Sequence, residues 1–402
     1  MTAAAGGRPG PPRVQLDRAS AVSLALERHH LTPETAGQDP LGVARDLLGL
    51  HATDPFSPYL QVWARVRQFE QATLDRLLYD DPRLARVSGM RGTLFIEPAD
   101  LLPLVFAATK RIRMRGRGRY LEANGLTEER YARLAEKVET TLVGRAMTAR
   151  ALRTQLGVDR SLTAVMQLMS DEGRIIRWRP AGGRRDATST YRVFGEALPG
   201  VDLTGWDEAE AISRLAELYV RHYGPATEED LSWWSGLDRR SLRAGLARLG
   251  PAILTVGIAG LGDRYLVHHD EPATSGLRNE VHGCVSFLPI LDPYLMGYRD
   301  RLRFIDPRQY DYVFDRGGNS TSVILVDGRV AGVWDWRERP WRHVRLHLFE
   351  SVIPATRASI LQRGEELGSF VAGETVPVVE VDVMKPLTER SAWTRSPLAD
   401  SG

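Results

Sequence analysis

The feature that most constrains the fold is an order of helix, turn, helix, strand and turn that recurs along the chain. In its clearest copy, a short helix begins at Thr148 and ends at Gly157. Ser161 then caps a second helix over residues 162–171. After that helix the apolar residues alternate, as in strands, on both sides of a glycine-rich turn at 181–185. This copy therefore predicts a helix–turn–helix followed by a β-hairpin.

The same order returns between residues 207 and 268. A long helix there ends before Gly224-Pro225, and Thr227 and Asp238 each cap a further helix. Because two copies are stronger evidence than one, the pattern indicates repeated winged-helix units. A looser copy comes first in the chain, with helices expected over 20–29, 40–50 and 73–79 and a strand over 94–96.

From residue 281 onward the pattern changes to strands. The dipeptide Asp327-Gly328 lies between two alternating runs and predicts a tight hairpin. We therefore expect an α+β fold of tandem winged-helix units with a β-rich C-terminal domain. The expected boundaries are a disordered N-terminus at 1–13, a first winged-helix unit with a helical linker and a basic run at 14–140, a second unit at 141–200, a third at 201–280, the C-terminal domain at 281–390 and a flexible tail at 391–402.

The composition is typical of a folded protein with several cores, because 43% of its 402 residues are hydrophobic and 26% are charged. Residues 1–12 lack the apolar run of a signal peptide, and no segment offers roughly 18 uninterrupted apolar residues. The one cysteine, Cys284, excludes an intramolecular disulfide and a cysteine-cluster zinc site. These features predict a cytoplasmic protein that makes no use of a membrane.

The positive charge is almost entirely arginine, since only Lys110, Lys137 and Lys385 are lysines. Guanidinium groups form two-pronged hydrogen bonds to phosphate and to guanine that an ammonium cannot form. Six cations fall within ten residues, which predicts either a segment that contacts DNA phosphates or an ordinary solvated surface. They are Lys110, Arg111, Arg113, Arg115, Arg117 and Arg119.

The segment from Leu47 to Pro55 places three chemistry-capable side chains at the end of an apolar helix. His51, Thr53 and Asp54 have the types needed to bind and orient one water, with a carboxylate or a neutral imidazole as the base. A structural interpretation is also open, in which Asp54 caps a turn and His51 is a core histidine.

Five further residues are candidates for contact with DNA. Arg184 and Arg185 would lie at the tip of the second unit's wing. Arg91, in a turn that enters a strand, has the reach to contact a phosphate or a neighbouring carboxylate. Tyr298 and Arg299 combine a ring that can stack on a base with a cation for a phosphate, although a packed turn uses the same residue types.

The sequence carries no sign of a bound metal or cofactor. His343 and His347 are four residues apart, but the alternating pattern around them predicts a strand, on which they would not share a helical face. The chain also lacks a phosphate-binding loop, a nucleophile elbow and a dinucleotide fingerprint. We expect no cofactor and no metal.

Taken together, these motifs resemble the AlkZ/YcaQ group of winged-helix DNA glycosylases over about residues 20–372. The resemblance implies three winged-helix units and a β-rich C-terminal domain that together hold duplex DNA. The segments that carry the resemblance are Leu48-Gly49-Leu50-His51-Ala52-Thr53, Arg91-Gly92-Thr93-Leu94, Leu291-Asp292-Pro293 and Val326-Asp327-Gly328-Arg329-Val330.

The resemblance implies a catalytic motif: in the group's well-described members, a Gln-x-Gln or Gln-x-Asp motif carries catalysis. Those enzymes excise bulky N3- or N7-alkylated purines without a metal. Here His51 and Thr53 occupy those two positions. If the chemistry is kept, His51 would hold or deprotonate a water, Thr53 would orient it, and Asp54 would supply negative charge near an oxocarbenium-like sugar. Because no lysine lies near this motif, a Schiff-base lyase step is not expected.

Two other functions fit the same pattern. A non-catalytic regulator or architectural DNA-binding protein would read DNA with the helix at 161–171, and a winged-helix scaffold would bind protein instead. Several wings on one chain favour a monomer that wraps one duplex, since a regulator usually reads a two-fold site as a dimer. We therefore expect a monomeric partner of double-stranded DNA, associated with the nucleoid.

Overall fold

The computed structural model describes residues 14–37, 39–270 and 281–390. The expected disordered N-terminus at 1–13, the expected tail at 391–402 and the end of the expected third unit lie outside these residues. Within them the fold is α+β, as predicted. No helix of this part of the chain is both long enough and apolar enough to span a bilayer.

After a short strand and a first helix, the first unit follows the order helix, short strand, helix, helix and two strands. Its fourth helix, at Gln71–Asp75, continues into a π-helical turn at Arg76–Asp80. The elements of this part of the chain are β1 (Gln15–Leu16), α1 (Arg18–Arg28), α2 (Pro40–Asp46), β2 (Leu50–His51), α3 (Ser57–Trp63), α4 (Gln71–Asp75), β3 (Leu84–Ser88) and β4 (Leu94–Pro98).

Three elements of this unit differ from the sequence expectation. Helix α2 ends at Asp46 rather than near residue 50, because Leu48 and Gly49 have φ angles of 49° and 97°. Helix α3 was missed, since Pro55 and Pro58 mask a short helix whose residues are all buried. Strand β3 was also missed: all five of its residues are buried, so it shows no alternation.

The second unit repeats this order after two linker helices. Helix α9 covers the residues predicted from the sequence, but Ser161 is its first residue and not its cap; the Asp159 carboxylate accepts a hydrogen bond from the Ser161 backbone N–H at 2.9 Å. The linker helices and this unit comprise α5 (Leu102–Arg113), α6 (Arg117–Ala123), α7 (Glu128–Leu142), β5 (Met147–Thr148), α8 (Ala149–Leu156), α9 (Ser161–Asp171), β6 (Ile175–Pro180), β7 (Ser189–Val193) and α10 (Phe194–Ala197).

The third unit has the predicted caps. Thr227 and Asp230 form a reciprocal capping box, and the Asp238 carboxylate accepts from the Ser241 backbone N–H. The unit comprises α11 (Glu208–Tyr223), α12 (Glu228–Ser235), α13 (Arg239–Leu249), β8 (Ile253–Ile258) and β9 (Gly262–His268).

The C-terminal domain is a five-stranded sheet with one long helix. Asp327 and Gly328 have φ angles of 50° and 77°, as the predicted two-residue hairpin requires, and His343 and His347 lie on a strand, as expected. Its elements are β10 (Val285–Leu288), α14 (Pro293–Met296), α15 (Tyr310–Val313), β11 (Val323–Val326), β12 (Arg329–Arg337), β13 (His343–Leu348), α16 (Pro354–Ala372) and β14 (Val378–Glu380).

Strand pairing joins the units to one another. The first two units share a six-stranded sheet in the order β2-β4-β3-β6-β7-β5, in which β3 pairs with β6 through Arg86 and Arg177. Strand β1 pairs in parallel with β8 of the third unit. Residues 15 and 16, which the sequence assigned to the first unit, therefore pair with a strand of the third unit. The domain boundaries themselves stay predictions.

A buried ion pair ties the first unit to the C-terminal domain. The guanidinium of Arg65, just after α3, donates two hydrogen bonds to the carboxylate of Asp292 at 2.6 and 2.9 Å, and both side chains are 0% exposed. Arg65 also donates to the backbone oxygens of His29 and Gln61. Removal of one member would leave the other charge buried without its counter-ion.

We therefore predict that Asp292→Ala lowers the free energy of unfolding by about 3–5 kcal/mol. The exposed pair between Arg45 and Asp100 provides the control, and Asp100→Ala should cost less than about 1 kcal/mol. Urea denaturation followed by circular dichroism measures both values. Equal effects of the two substitutions would contradict the prediction.

Candidate active site and DNA interface

The segment that contains His51, Thr53 and Asp54 lies where β2 ends and the chain turns into α3. His51 and Asp54 are buried, whereas Thr53 is exposed. The structure thus brings the three predicted residues together, but only Thr53 presents its side chain to solvent.

Thr53 lines an open cleft of about 380 Å³ between the first and second units. The floor of the cleft is formed by the shared six-stranded sheet, and Gln167 of α9 contributes to its wall. The polar side chains that line it are Thr53, Arg86, Ser88, Thr93, Gln167, Arg177 and Ser189. None of the three lysines of the chain is among the lining residues.

The imidazole of His51 is held in an apolar setting. It is 3% exposed and lies 4.9 Å, centroid to centroid, from the ring of Phe95. Burial, and secondarily the positive charge of Arg91, lowers the pKa of His51 to about 3. His51 is therefore neutral at physiological pH. Its Nδ1 atom has no hydrogen-bond partner among the described residues.

The backbone of His51 is clamped by Gln61, a residue that the sequence analysis did not identify. The amide oxygen of Gln61 accepts from the His51 N–H at 3.1 Å, and its amide nitrogen donates to the His51 carbonyl at 2.9 Å. Gln61 is fully buried on α3. The one signal in the sequence was a glutamine within the apolar run Tyr59-Leu60-Gln61-Val62-Trp63.

Asp54 has the structural role that the sequence left open as an alternative. Its Oδ1 atom accepts hydrogen bonds from the backbone N–H groups of Phe56 and Ser57 and from the Ser57 hydroxyl, at 2.7 to 3.1 Å. These bonds fix the start of α3. Because Asp54 is only 4% exposed, its predicted negative charge would act on a substrate through the protein and not by contact.

Glu97 on β4 is a second buried group that the sequence analysis missed. Its carboxylate is 0% exposed, and neither oxygen has a hydrogen-bond partner among the described residues. A Cβ atom at Gly49, the residue before β2, would lie 2.6 Å from the Glu97 Oε1 atom, so this close approach requires glycine. Burial raises the pKa of Glu97 to about 8.

The basic run divides into exposed and buried members. Lys110, Arg111, Arg115 and Arg119 are exposed, and Arg111 forms an ion pair with Glu208 at 2.6 Å. These residues lie at the end of α5, in the following turn and on α6.

The other two members of the run point into the protein, which corrects their assignment as DNA contacts. Arg113 donates to the backbone oxygens of Phe106 and Asp171, and burial lowers its pKa to about 10. Arg117 forms ion pairs with Glu128 and Glu172. Both guanidiniums therefore have protein partners.

The wing arginines also contact the protein. Arg184 donates to the carboxylate of Asp75 in the first unit, and Arg185 donates to Glu338 and to the Val371 carbonyl in the C-terminal domain. These contacts hold the wing against its neighbours, but both arginine side chains are 40% exposed, so their contact with DNA stays a prediction.

The last three candidates for DNA contact differ in their exposure to solvent. Tyr298 is 0% exposed and donates its hydroxyl to the Tyr223 carbonyl, so the expectation that it stacks on a DNA base is wrong for this structure. Arg299 is exposed. Arg91 is half-buried, with its guanidinium 4.4 Å from the ring of Trp233, and burial lowers its pKa to about 10.

Among the residues that the structure describes, one cluster of metal-ligand types occurs, in the third unit. The ligand atoms of His268, His269 and Asp270 lie within 4.8 Å of one another. None of the three residues lines the cleft. His343 and His347 each place Nδ1 on a backbone carbonyl, of Trp341 and Val381 respectively.

Comparison with known proteins identifies the family. The profile of the family described as "DNA glycosylase AlkZ-like" matches residues 44–370. The chain belongs to the AlkZ-like DNA glycosylase family. The resemblance inferred from the short motifs around His51 and Asp292 is thereby confirmed, and with it the expectation of an enzyme of DNA repair.

A curated relative and a solved structure agree with this assignment. The "Interstrand DNA cross-link repair glycosylase" of Streptomyces sahachiroi is 27% identical over 338 residues, which cover 77% of this chain and 85% of the relative. The structure of the Streptomyces sahachiroi DNA glycosylase AlkZ superposes with a TM-score of 0.74 at 20% identity, covering 92% of this chain and 100% of that chain. The second comparison shows that the fold is shared.

The ionisation of Glu97 should make stability depend on pH. Because its pKa is raised from 4.5 to about 8 in the folded state, its contribution is present below pH 4.5 and is lost as pH rises towards 8. Relative to Glu97→Gln, we expect the free energy of unfolding of the wild type to fall by up to about 1.4 kcal/mol per pH unit across this window. Urea denaturation at pH 5, 7 and 8.5 measures the difference, with Glu136→Gln on the surface of α7 as the control. A pH-independent difference would refute this assignment.

The exposed part of the basic run should contribute to DNA affinity. Replacement of Lys110, Arg115 and Arg119 together by glutamine is expected to weaken duplex binding. The slope of log affinity against log salt should fall by about 0.9 for each phosphate that the variant no longer neutralises. Fluorescence anisotropy over a salt series measures the slope. Arg117→Gln is the matched control and should lower the melting temperature without changing the slope. An unchanged slope in the triple variant would assign these cations to a solvated surface.

Proposed function

We propose that this protein is a monofunctional glycosylase that hydrolyses the N-glycosidic bond of bulky alkylated purines in double-stranded DNA. The observation that carries the proposal is the exposed Thr53 of the His51-Ala52-Thr53 segment, placed in a basic open cleft of a chain that belongs to the AlkZ-like family. The protein would act as a monomer on nucleoid DNA in the cytoplasm.

The open shape of the cleft suits a bulky substrate. Enzymes that extract an ordinary base enclose it in a snug pocket after flipping it from the duplex. The cleft beside Thr53 is instead open along the shared sheet, so an adduct that projects from the duplex would not need to be enclosed. The Streptomyces sahachiroi relative is named for repair of interstrand cross-links, in which the damaged base carries a second strand. We extend the proposed substrates of this chain to such cross-links.

The proposed chemistry needs little from the protein beyond a placed water and a suitable electrostatic environment. An N3- or N7-alkylated purine carries a positive charge and is already a good leaving group. As its bond to the sugar breaks, an oxocarbenium-like cation develops and a water must attack it. We assign to the Thr53 hydroxyl, which is exposed in the cleft, the contact with this water or with the sugar.

His51 would act on the same water as a hydrogen-bond acceptor once DNA binding brings its ring, which is 3% exposed and lies outside the cleft lining here, into contact with the cleft. The neutral imidazole has an Nδ1 atom without a protein partner among the described residues, and the Gln61 clamp fixes the backbone that carries the ring. A neutral acceptor is what the glutamine of the group's common motif also supplies. Because no lysine lines the cleft, the reaction would stop at the abasic site, without a Schiff-base strand cleavage.

The test is excision from duplex DNA that carries a single N7-alkylguanine adduct, read as abasic sites cleaved by alkali. His51→Ala is expected to slow excision by roughly 10-fold, the value of one hydrogen bond to the attacking water. His51→Gln should retain more activity than His51→Ala, because the amide restores a neutral acceptor. Thr53→Val should also be slow, whereas Thr140→Val, an exposed control on α7, should match the wild type.

Three results would decide against the proposal. Tight, salt-sensitive binding with no abasic product from any alkylated or cross-linked duplex would favour the regulator. Absence of DNA binding would exclude both functions. Equal activity of the wild type and His51→Ala would remove His51 from the mechanism.

A further inference from the structure

The shared six-stranded sheet places two arginines directly opposite one another on the floor of the cleft. Arg86 of β3 and Arg177 of β6 are paired across the strands, and both side chains line the cleft with Thr53. Like charges directly opposite each other on a sheet are unfavourable. The pairing therefore calls for an anion that compensates it.

The protein itself does not supply that anion by direct pairing. In the described part of the chain, no carboxylate lies within ion-pair distance of either guanidinium. Arg177 donates to the hydroxyl of Tyr191 at 3.0 Å and to the amide oxygen of Gln167 at 3.2 Å, which are both uncharged.

Arg86 is the stronger indication of a ligand. It is only 5% exposed, yet its Nε and Nη2 atoms have no hydrogen-bond partner among the described residues. Buried polar groups in proteins are normally hydrogen-bonded, because leaving them unpaired is costly. A buried guanidinium that lines a cleft with its donors unused has the form of an anion site before the anion binds.

One carboxylate lies behind this pair and must be counted. Asp171 accepts hydrogen bonds from the Ser88 hydroxyl at 2.8 Å and from the Gln167 amide at 3.1 Å. Burial raises its pKa from the ordinary value. Even fully ionised, Asp171 would balance only one of the two arginines, so the site keeps a positive charge.

We propose that Arg86 and Arg177 together bind one phosphate of the DNA backbone, adjacent to the nucleotide whose base is removed. This inference rests on the proposed glycosylase function. Two guanidiniums present parallel N–H donors that match phosphate oxygens. Because every sugar of a DNA strand is bonded to a phosphate on each side, a phosphate fixed here brings the neighbouring sugar to Thr53, which lines the same cleft.

The test combines protein variants with a DNA analogue. Duplexes carry one N7-alkylguanine and, at one backbone position on either side of it, an uncharged methylphosphonate. The wild type should lose about 10- to 150-fold in affinity at one of these positions, the value of a charge-assisted hydrogen bond. Arg86→Gln and Arg177→Gln should bind the unmodified duplex weakly. They should lose little further affinity with the analogue, because the interaction between arginine and phosphate is already absent.

The matched control is Arg179→Gln. Arg179 lies two residues from Arg177 on the same strand but pairs with Asp80 and does not line the cleft. This variant should show the full wild-type loss with the methylphosphonate. Arg86→Lys keeps the positive charge but not the paired N–H donors of a guanidinium, so its affinity for the unmodified duplex should lie between those of the wild type and Arg86→Gln.

Stability measurements separate a binding role from a structural one. Since Arg86→Gln removes like-charge repulsion, its melting temperature should be no lower than that of the wild type. A marked fall in melting temperature, together with wild-type DNA affinity of Arg177→Gln, would show that the pair is structural and would overturn the proposal. An equal methylphosphonate loss in the wild type and both variants would also overturn it.

Two further arms separate this proposal from neighbouring possibilities. Inorganic phosphate, added at constant ionic strength, tests a site for the free anion. The assignment to DNA would be overturned if phosphate raised the melting temperature of the wild type but not of Arg86→Gln, and if the methylphosphonate had no effect on affinity. Because affinity needs no base excision, a methylphosphonate effect without any abasic product would refute the proposed chemistry while supporting the phosphate site.

Discussion

The buried ion pair between Arg65 and Asp292 is the interaction on which the geometry of the candidate site depends. It joins the end of α3 to the C-terminal domain with two hydrogen bonds, in a place from which water is excluded. Helix α3 in turn carries Gln61, whose amide clamps His51, and begins at the turn that Asp54 caps. The positions of these three residues are therefore coupled to the packing of two distant parts of the chain.

The strand pairing that joins the sheets of the first two units also determines where charge is buried. A separate wing would leave its edge strand open and its arginines in solvent. Here β3 and β6 pair instead, so Arg86 is buried opposite Arg177; Asp171 balances part of this charge, and in the proposed complex a DNA phosphate offsets the rest. Meanwhile Arg184 and Arg185, at the tip of the same wing, are used to hold the units together.

The sequence predicted the fold wherever local chemistry determines the structure. The caps at Thr227 and Asp238, the hairpin at Asp327-Gly328 and the span of α9 depend on neighbouring residues, and the structure has all of them. Tertiary packing decided the rest. Strand β3 is buried on both faces and has no alternation, while the pairing of β1 with β8 joins segments about 240 residues apart. The same reason explains the missed site residues, since Gln61, Glu97 and Arg86 acquire their roles only from neighbours distant in sequence.

In the proposed mechanism, His51 in place of the glutamine of the family's motif is chemically less drastic than the change of residue type implies. A histidine in solvent titrates near neutrality and would place a positive charge beside the cationic alkylated purine that we propose as the substrate. Burial against Phe95 and the nearby charge of Arg91 keep the His51 ring neutral, with a pKa of about 3. Glu97, on the same strand as Phe95, has its pKa raised to about 8 by burial, so the region beneath β2 carries little charge at neutral pH. The protein environment thus gives this imidazole the property that an amide has by nature, a neutral acceptor at every physiological pH. In the proposed reaction, the negative charge near the oxocarbenium-like sugar is left to Asp54 and the DNA phosphates, and the arginines of the cleft hold the DNA backbone.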